Sequence, residues 1–135
     1  MHYSGKFEEA IQLVKKAMRL HGPYFPAHYL RALGNSLFMA GHCGEALETY
    51  KKLQERSLKG EFSESRVHLH LAIANICLGQ EEEARKHADE VLSLFPNFSL
   101  ERTRRRSRFR NPADLERWID ALRKAGIPEK PPSID

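Results

Sequence analysis

The feature that most limits how this chain can fold is a set of three glycines, 36 and 38 residues apart, that are each followed five residues later by an alanine. A repeat of 36 to 38 residues is typical of stacked helical hairpins, in which each unit has an apolar face that its neighbour covers. We therefore predict an all-α fold, a right-handed solenoid of helical hairpins with capping helices at its C-terminal end. The three pairs are Gly5 and Ala10, Gly41 and Ala46, and Gly79 and Ala84.

Residues 27–58 carry the apolar pattern of two helices joined at Gly41. A left-handed glycine suits the end of the first helix, and the short connection makes the two helices antiparallel. Gly34 lies inside the first helix, where glycine costs about 1 kcal/mol relative to alanine. We therefore expect a close backbone approach there, with the small Ala46 opposite. The two apolar stripes are Leu30, Leu33, Leu37 and Phe38, and then Ala46, Leu47, Tyr50 and Leu53.

Residues 65–96 repeat this plan, whereas residues 6–21 supply only a second helix. Because its first helix is missing, we expect that the sequence was cut from a longer chain. The predicted organisation is repeats over 1–96, capping helices over 97–128 and a flexible tail over 129–135.

The residue pattern within the units resembles the tetratricopeptide repeat, whose hairpin reads W-x2-L-G-x2-Y, then A-x3-F, then P. Leu30 and His68 replace the tryptophan, and the middle unit lacks the closing proline. The resemblance covers residues 1–96 and implies a scaffold that binds a protein or peptide segment, without catalytic activity or a cofactor. The matching residues are Leu30, Leu33, Gly34, Leu37, Ala46 and Tyr50, and then His68, Leu71, Ala72, Asn75, Ala84, Ala88 and Pro96.

The resemblance also implies that the first helix of each hairpin lines a binding groove. Asn35 matches a family asparagine that can hydrogen-bond an extended peptide backbone. Two interpretations of the apolar strip in the third unit remain open. It receives an apolar or amphipathic partner segment, or the chain's own C-terminal segment folds over it. The matched groove positions are His28, Arg31, Asn35, Phe38, Met39, Arg66, Leu69, Ile73, Ile76 and Cys77.

Residues 111–126 have the pattern of a final helix. Asn111 suits the N-cap, Pro112 the first turn and Gly126 the C-terminal end. Its stripe of Leu115, Trp118, Ile119 and Leu122 is expected to cover the third hairpin, although a detached partner-binding helix is the alternative.

The stretches 111–117 and 121–129 resemble the ending of long bacterial signalling proteins that carry an adenylate or guanylate cyclase domain before tetratricopeptide repeats. This resemblance implies that the chain is the C-terminal part of a larger bacterial signalling protein. It brings no cyclase chemistry, because the residues for that chemistry are not in this sequence.

The basic charge is concentrated in one short segment. Residues 97–110 hold six Arg and one Glu, which gives +5, and the rest of the chain sums to −1. A solvated segment, with arginines paired to Glu81, Glu82 and Glu83, is one interpretation. Binding of an acidic protein or of nucleic acid is the alternative. The basic patch is Arg102, Arg104, Arg105, Arg106, Arg108 and Arg110.

Self-association is predicted from the incomplete first unit. Burial of an apolar side chain contributes roughly 1.5–3 kcal/mol when it is complete, so we expect a second copy to cover this face and form a homodimer. If the sequence is cut from a longer chain, the dimer can be an effect of that truncation. A separate alternative function is a structural spacer that holds an enzymatic domain in a dimer. The face consists of Phe7, Ile11, Val14 and Met18.

Enzymatic and metal chemistry have no signature in the sequence. His68 and His70 point about 200° apart on a helix, and neither an HExxH nor a CxxC motif occurs. We expect His68 to replace the family tryptophan in the core and the other histidines to lie at the surface. Cys43 and Cys77 stand in unrelated surroundings, so we expect two reduced thiols in a cytoplasmic protein. A signal sequence and a membrane-spanning run are both missing from the sequence.

Overall fold

The computed structural model describes residues 4–107 and 109–132, and these residues form seven α-helices and no β-strand. The all-α prediction is therefore confirmed for this part of the chain. None of the described helices combines the length and the apolar character that crossing a bilayer requires. The helices are α1 (Ser4–His21), α2 (His28–Met39), α3 (Cys43–Leu58), α4 (Glu64–Cys77), α5 (Glu81–Leu94), α6 (Leu100–Arg106) and α7 (Pro112–Ala125).

The connections α2–α3 and α4–α5 have the same hydrogen-bond pattern, which is the Schellman motif. Gly41 and Gly79 adopt the predicted left-handed conformation, with φ of 89° and 77°. Because both chain reversals are identical, the sequence repeat is also a repeat in the backbone. The bonds run from Gly41 N to Phe38 O (3.0 Å) and His42 N to Leu37 O (2.8 Å), and from Gly79 N to Ile76 O (3.0 Å) and Gln80 N to Asn75 O (2.8 Å).

The core lies between consecutive helices, since each helix from α1 to α4 packs against the next one. The stripes predicted for α2 and α3 are buried, apart from Leu47, which is partly buried. In the second hairpin Leu71, Ala72, Ala84 and Val91 are buried in the same way. The apolar periodicity therefore located the core-facing side of these helices correctly.

Gly34 does mark a close approach, but its nearest neighbour is Tyr50 and not Ala46. A β-carbon at Gly34 would lie 2.3 Å from Tyr50 Cε1 and 2.7 Å from Cδ1. The tyrosine ring is fully buried, and its hydroxyl donates to Asn35 Oδ1 at 2.7 Å, so the ring is held in place. Gly34 therefore packs against Tyr50, which lies one helical turn after the expected Ala46 in α3.

The predicted self-association residues pack inside their own chain. Ile11 is buried, and Phe7, Val14 and Met18 lie partly buried against the core. Another side of α1 is open instead, where Leu13 and Leu20 are 66% and 78% exposed. The homodimer stays a prediction, and it would have to use this second side.

The expectation of two reduced thiols in unrelated surroundings is wrong, because Cys43 and Cys77 are joined as a disulfide. Cys43 begins α3 and Cys77 ends α4, and their Cα atoms lie 5.7 Å apart. Helices that pack side by side bring such ends together, although 34 residues separate them in sequence. Spacing within either helix gave no sign of this contact.

The C-terminal segment closes back onto α6. The Ser99 hydroxyl caps α6 by accepting from Arg102 N at 3.1 Å. The carbonyls of Pro128 and Glu129 accept from the N–H groups of Leu100 and Glu101, each at 2.9 Å. The predicted flexible tail over 129–135 therefore begins with an anchored residue, and its last three residues lie outside the described part of the chain.

Candidate protein-binding groove

Helix α7 packs mainly against α4, and it also contacts α5 and α6. Its ends are as expected: Asn111 Oδ1 accepts from Ala113 N at 2.8 Å, and Gly126 is left-handed with φ of 114°. Ile119 and Leu122 are fully buried. The amphipathic pattern of this segment therefore produced a docked helix.

Trp118 of α7 lies in an aromatic cluster made by three other elements. Its ring makes edge contacts with Phe38 of α2 and His70 of α4, each with ring centroids 5.7 Å apart. Phe109, which precedes α7, lies 5.8 Å away. Edge-to-face pairs of this kind contribute about 0.5–1.5 kcal/mol beyond the burial of their area. Trp118 is thus an aromatic anchor that joins α7 to both hairpins.

Two polar contacts fix the direction of α7. Lys6 Nζ of α1 lies 2.8 Å from Asp114 Oδ2, and this carboxylate is nearly buried. Arg117 Nη2 donates to the carbonyl of Met39 at 2.8 Å. Met39 is the last residue of α2, so the guanidinium neutralises the negative end of that helix and satisfies a terminal carbonyl. A helix in this position therefore needs an acidic first turn and a basic residue one turn later.

The predicted groove residues fall into two groups. The apolar ones are withdrawn from solvent, since Phe38, Met39 and Ile73 are buried and Leu69 and Ile76 are partly buried. Asn35 is occupied by the hydroxyl of Tyr50. Because α7 packs against α4 and its Trp118 contacts Phe38, the chain's own C-terminal helix covers at least one of the predicted groove positions. On the polar side His28 and Arg66 are exposed and Arg31 is partly buried.

His70 was expected at the surface, and that expectation is wrong. The side chain is 7% exposed and stacks on Tyr50 with centroids 5.0 Å apart. Its Nδ1 is buried without a hydrogen-bond partner among the described residues. Burial, together with the positive charges of Arg31 and Arg66, lowers the pKa of His70 to about 3. The signal was available, because residues 67, 70, 71 and 74 follow the i, i+3, i+4, i+7 pattern of a buried helical face.

The basic segment is largely engaged within the chain. Arg104 pairs with Glu116 and Glu129, and Arg105 lies 3.6 Å from Glu101. The guanidinium of Arg102 lies 4.6 Å from the centre of the Phe95 ring. The acidic partners thus lie in α6, in α7 and at Glu129, and not in the expected cluster at Glu81, Glu82 and Glu83. Arg106 and Arg110 are exposed, and Arg108 lies outside the described residues.

Comparison with known proteins adds no further assignment. No protein-family model matches this chain, and no curated protein matches it. In the part of the chain that the structure describes, no three His, Cys, Asp or Glu side chains converge to hold a metal ion. The groove and the helix that lies on it are therefore the features from which a function is argued.

Proposed function

We propose that this chain is a tetratricopeptide-type interaction module that binds an amphipathic helix of a protein partner, and that it is not an enzyme. The observation that carries the proposal is the position of the Trp118 ring between Phe38 and His70. These two rings form a binding site for an aromatic side chain that projects from a helix. In the free chain α7 occupies this site. A partner helix takes its place.

The repeated hairpin supports this proposal physically. Both chain reversals are fixed by the same backbone hydrogen bonds, so the helices that border the groove are held before any ligand arrives. Binding to a preorganised surface loses less free energy to ordering than binding to a mobile one. The right-handed solenoid arrangement belongs to the same proposal.

The chemistry of the partner follows from the contacts that α7 makes. The partner is an amphipathic helix with an aromatic residue for the Trp118 seat, a carboxylate in its first turn for Lys6 and a basic residue for the Met39 carbonyl. Such a ligand belongs to the helix-in-groove class of peptide recognition.

The origin of the chain is a second part of the proposal. From the C-terminal resemblance we propose that it is the C-terminal part of a larger bacterial signalling protein in the cytoplasm.

Replacing Trp118 is expected to open the groove to a helix supplied from outside. A fluorescent peptide of residues 109–128 should bind the full-length Trp118→Ala chain at least about tenfold more tightly than wild type, as measured by fluorescence anisotropy. In wild type the tethered α7 competes with the peptide at a high effective concentration. Removing the Trp118 ring weakens the docking of α7 by about 1.4 kcal/mol or more, which corresponds to at least about a tenfold gain in peptide affinity.

Lys124→Ala serves as the matched control for this experiment, since Lys124 is exposed on α7 and should leave peptide affinity at the wild-type value. Circular dichroism establishes that the remaining helices stay folded. Equal peptide affinity for all three chains, or binding to none of them, would contradict the helix-in-groove proposal.

Self-association is a separate proposal, carried by the open side of α1. The internal repeat matches Ala10 to Ala46 and Ala84, both of which are fully buried. Among the described residues, the stripe of Ala10, Leu13, Ala17 and Leu20 is less covered, since the alanines are only partly buried and the leucines are exposed. We propose that α1 of a second copy packs there in antiparallel orientation. Small residues then face large ones, and the acidic N-terminal half of α1 lies beside the basic C-terminal half of its partner.

Charged substitutions on this stripe are expected to abolish the dimer. The double variant Leu13→Glu, Leu20→Glu should raise the dimer dissociation constant at least about tenfold in sedimentation experiments, because it buries like charges in the interface. Leu58→Glu is the control, as Leu58 is 83% exposed on α3. A wild-type chain that remains monomeric at its highest soluble concentration would overturn this proposal.

A further inference from the structure

A pair of histidines faces away from the groove. His68 of α4 and His87 of α5 are both partly buried, and their Nδ1 atoms lie 2.9 Å apart. The rings are stacked, with centroids 5.2 Å apart and planes inclined by 30°. The two imidazoles therefore direct the same ring nitrogen toward one point between the helices of the second hairpin.

This geometry is close to that of a chelating pair. In a neutral pair of this kind one Nδ1 carries the proton and the other offers its lone pair. A tetrahedral Zn²⁺ ion binds imidazole nitrogens at about 2.0–2.1 Å, which places two such nitrogens about 3.3–3.4 Å apart. To bind the ion, the donor ring carries its proton on Nε2 instead of Nδ1, the two nitrogens separate by about half an ångström, and both rings tilt so that their lone pairs point at the ion.

The surroundings of the pair are acidic. His68 and His87 line a surface depression together with Glu83, Asp89, Glu90 and Lys86. The depression therefore contains three carboxylates and one ammonium group, so its net charge is negative. Glu83 precedes His87 by four residues and Glu90 follows it by three, so both share its face of α5. Lys86 Nζ lies 3.2 Å from Glu83 Oε1 at the exposed rim, and this pair is weak enough to exchange.

We propose that His68 and His87 bind a Zn²⁺ ion through their Nδ1 atoms, with the carboxylate of Glu83 or Glu90 as a third ligand and water as the fourth. A third side chain does not yet converge on this point in the described residues, so the carboxylate rotates in when the ion binds. The site lies on the opposite side of α4 from His70. The bound ion links α4 to α5 through one histidine from each helix. The site is independent of the proposed groove function.

Zinc titration of the full-length chain tests this site. We expect one Zn²⁺ per chain, measured by competition with a chromophoric chelator, and an at least tenfold weaker affinity for His68→Gln and for His87→Gln. Glu83→Gln, Glu90→Gln changes only exposed side chains, so it cannot disturb the core, and it should also weaken binding. His42→Gln is the matched control, because His42 pairs with Glu8 at 2.8 Å elsewhere on the surface and should keep wild-type affinity.

Cobalt substitution separates this site from the cysteines. Co²⁺ bound by His68 and His87 should give tetrahedral d–d absorption without a thiolate charge-transfer band. A thiolate band would place the ion at Cys43 and Cys77 and overturn the proposal. The absence of saturable Zn²⁺ binding, or unchanged affinity in both histidine variants, would overturn it as well.

Discussion

Gly34→Val is expected to lower the free energy of unfolding by about 3 kcal/mol, as measured by denaturant unfolding. The valine β-carbon would overlap Tyr50 Cε1, which lies 2.3 Å from that position. The ring cannot turn aside, because it is fully buried and its hydroxyl is bonded to Asn35. Overpacking of a filled core costs 1–3 kcal/mol and sometimes more, which exceeds the gain of a few tenths in helix propensity.

Gly44→Val is the matched control for this substitution. Gly44 also lies within a helix, but no described atom comes within 4 Å of its β-carbon position. The control should therefore change stability by less than about 0.5 kcal/mol. If the two valine variants proved equally stable, the packing of α2 on α3 would differ from the one described.

Acidification from pH 7 to pH 4 is expected to remove about 3 kcal/mol of stability through His70 alone. Burial lowers the pKa of His70 to about 3, whereas the unfolded chain has the ordinary value near 6.5. The unfolded state therefore takes up the proton first. The contribution is intact above pH 6.5 and is lost progressively as the pH falls toward 3, at about 1.4 kcal/mol per pH unit.

The measurement compares wild type with His70→Phe, which keeps an aromatic ring against Tyr50 and Trp118 but cannot be protonated. Carboxylates contribute equally to both chains, so the difference between their pH profiles reports His70. His28→Gln removes an exposed histidine and should follow the wild-type profile. Parallel profiles for wild type and His70→Phe would show that residue 70 is accessible to protons in the folded chain.

The local elements of the fold were readable from the sequence for a physical reason. Helix ends depend on nearby residues, and Gly41, Gly79 and Gly126 adopt the left-handed backbone that their positions predicted. Apolar periodicity fixes which side of a helix is buried, so the stripes of α2, α3 and α7 were also predictable. These features depend on a few consecutive residues.

The contacts between distant segments were not readable in this way. The periodicity of α3 gives its buried side, but it does not decide whether Ala46 or Tyr50 meets Gly34, because that depends on how the two helices slide past each other. The same holds for Cys43 with Cys77 and for His68 with His87, where each partner comes from a different helix. His70 was missed because its polar side chain was given more weight than its position on the buried side of α4.

The ion pair between Lys6 and Asp114 joins residues 108 positions apart in sequence. In an open linear array each unit touches only its neighbours, so the two ends can fray independently and unfolding can spread from either one. Here the ion pair ties α7 to the first helix, so loosening either end of the chain removes a contact of the other end.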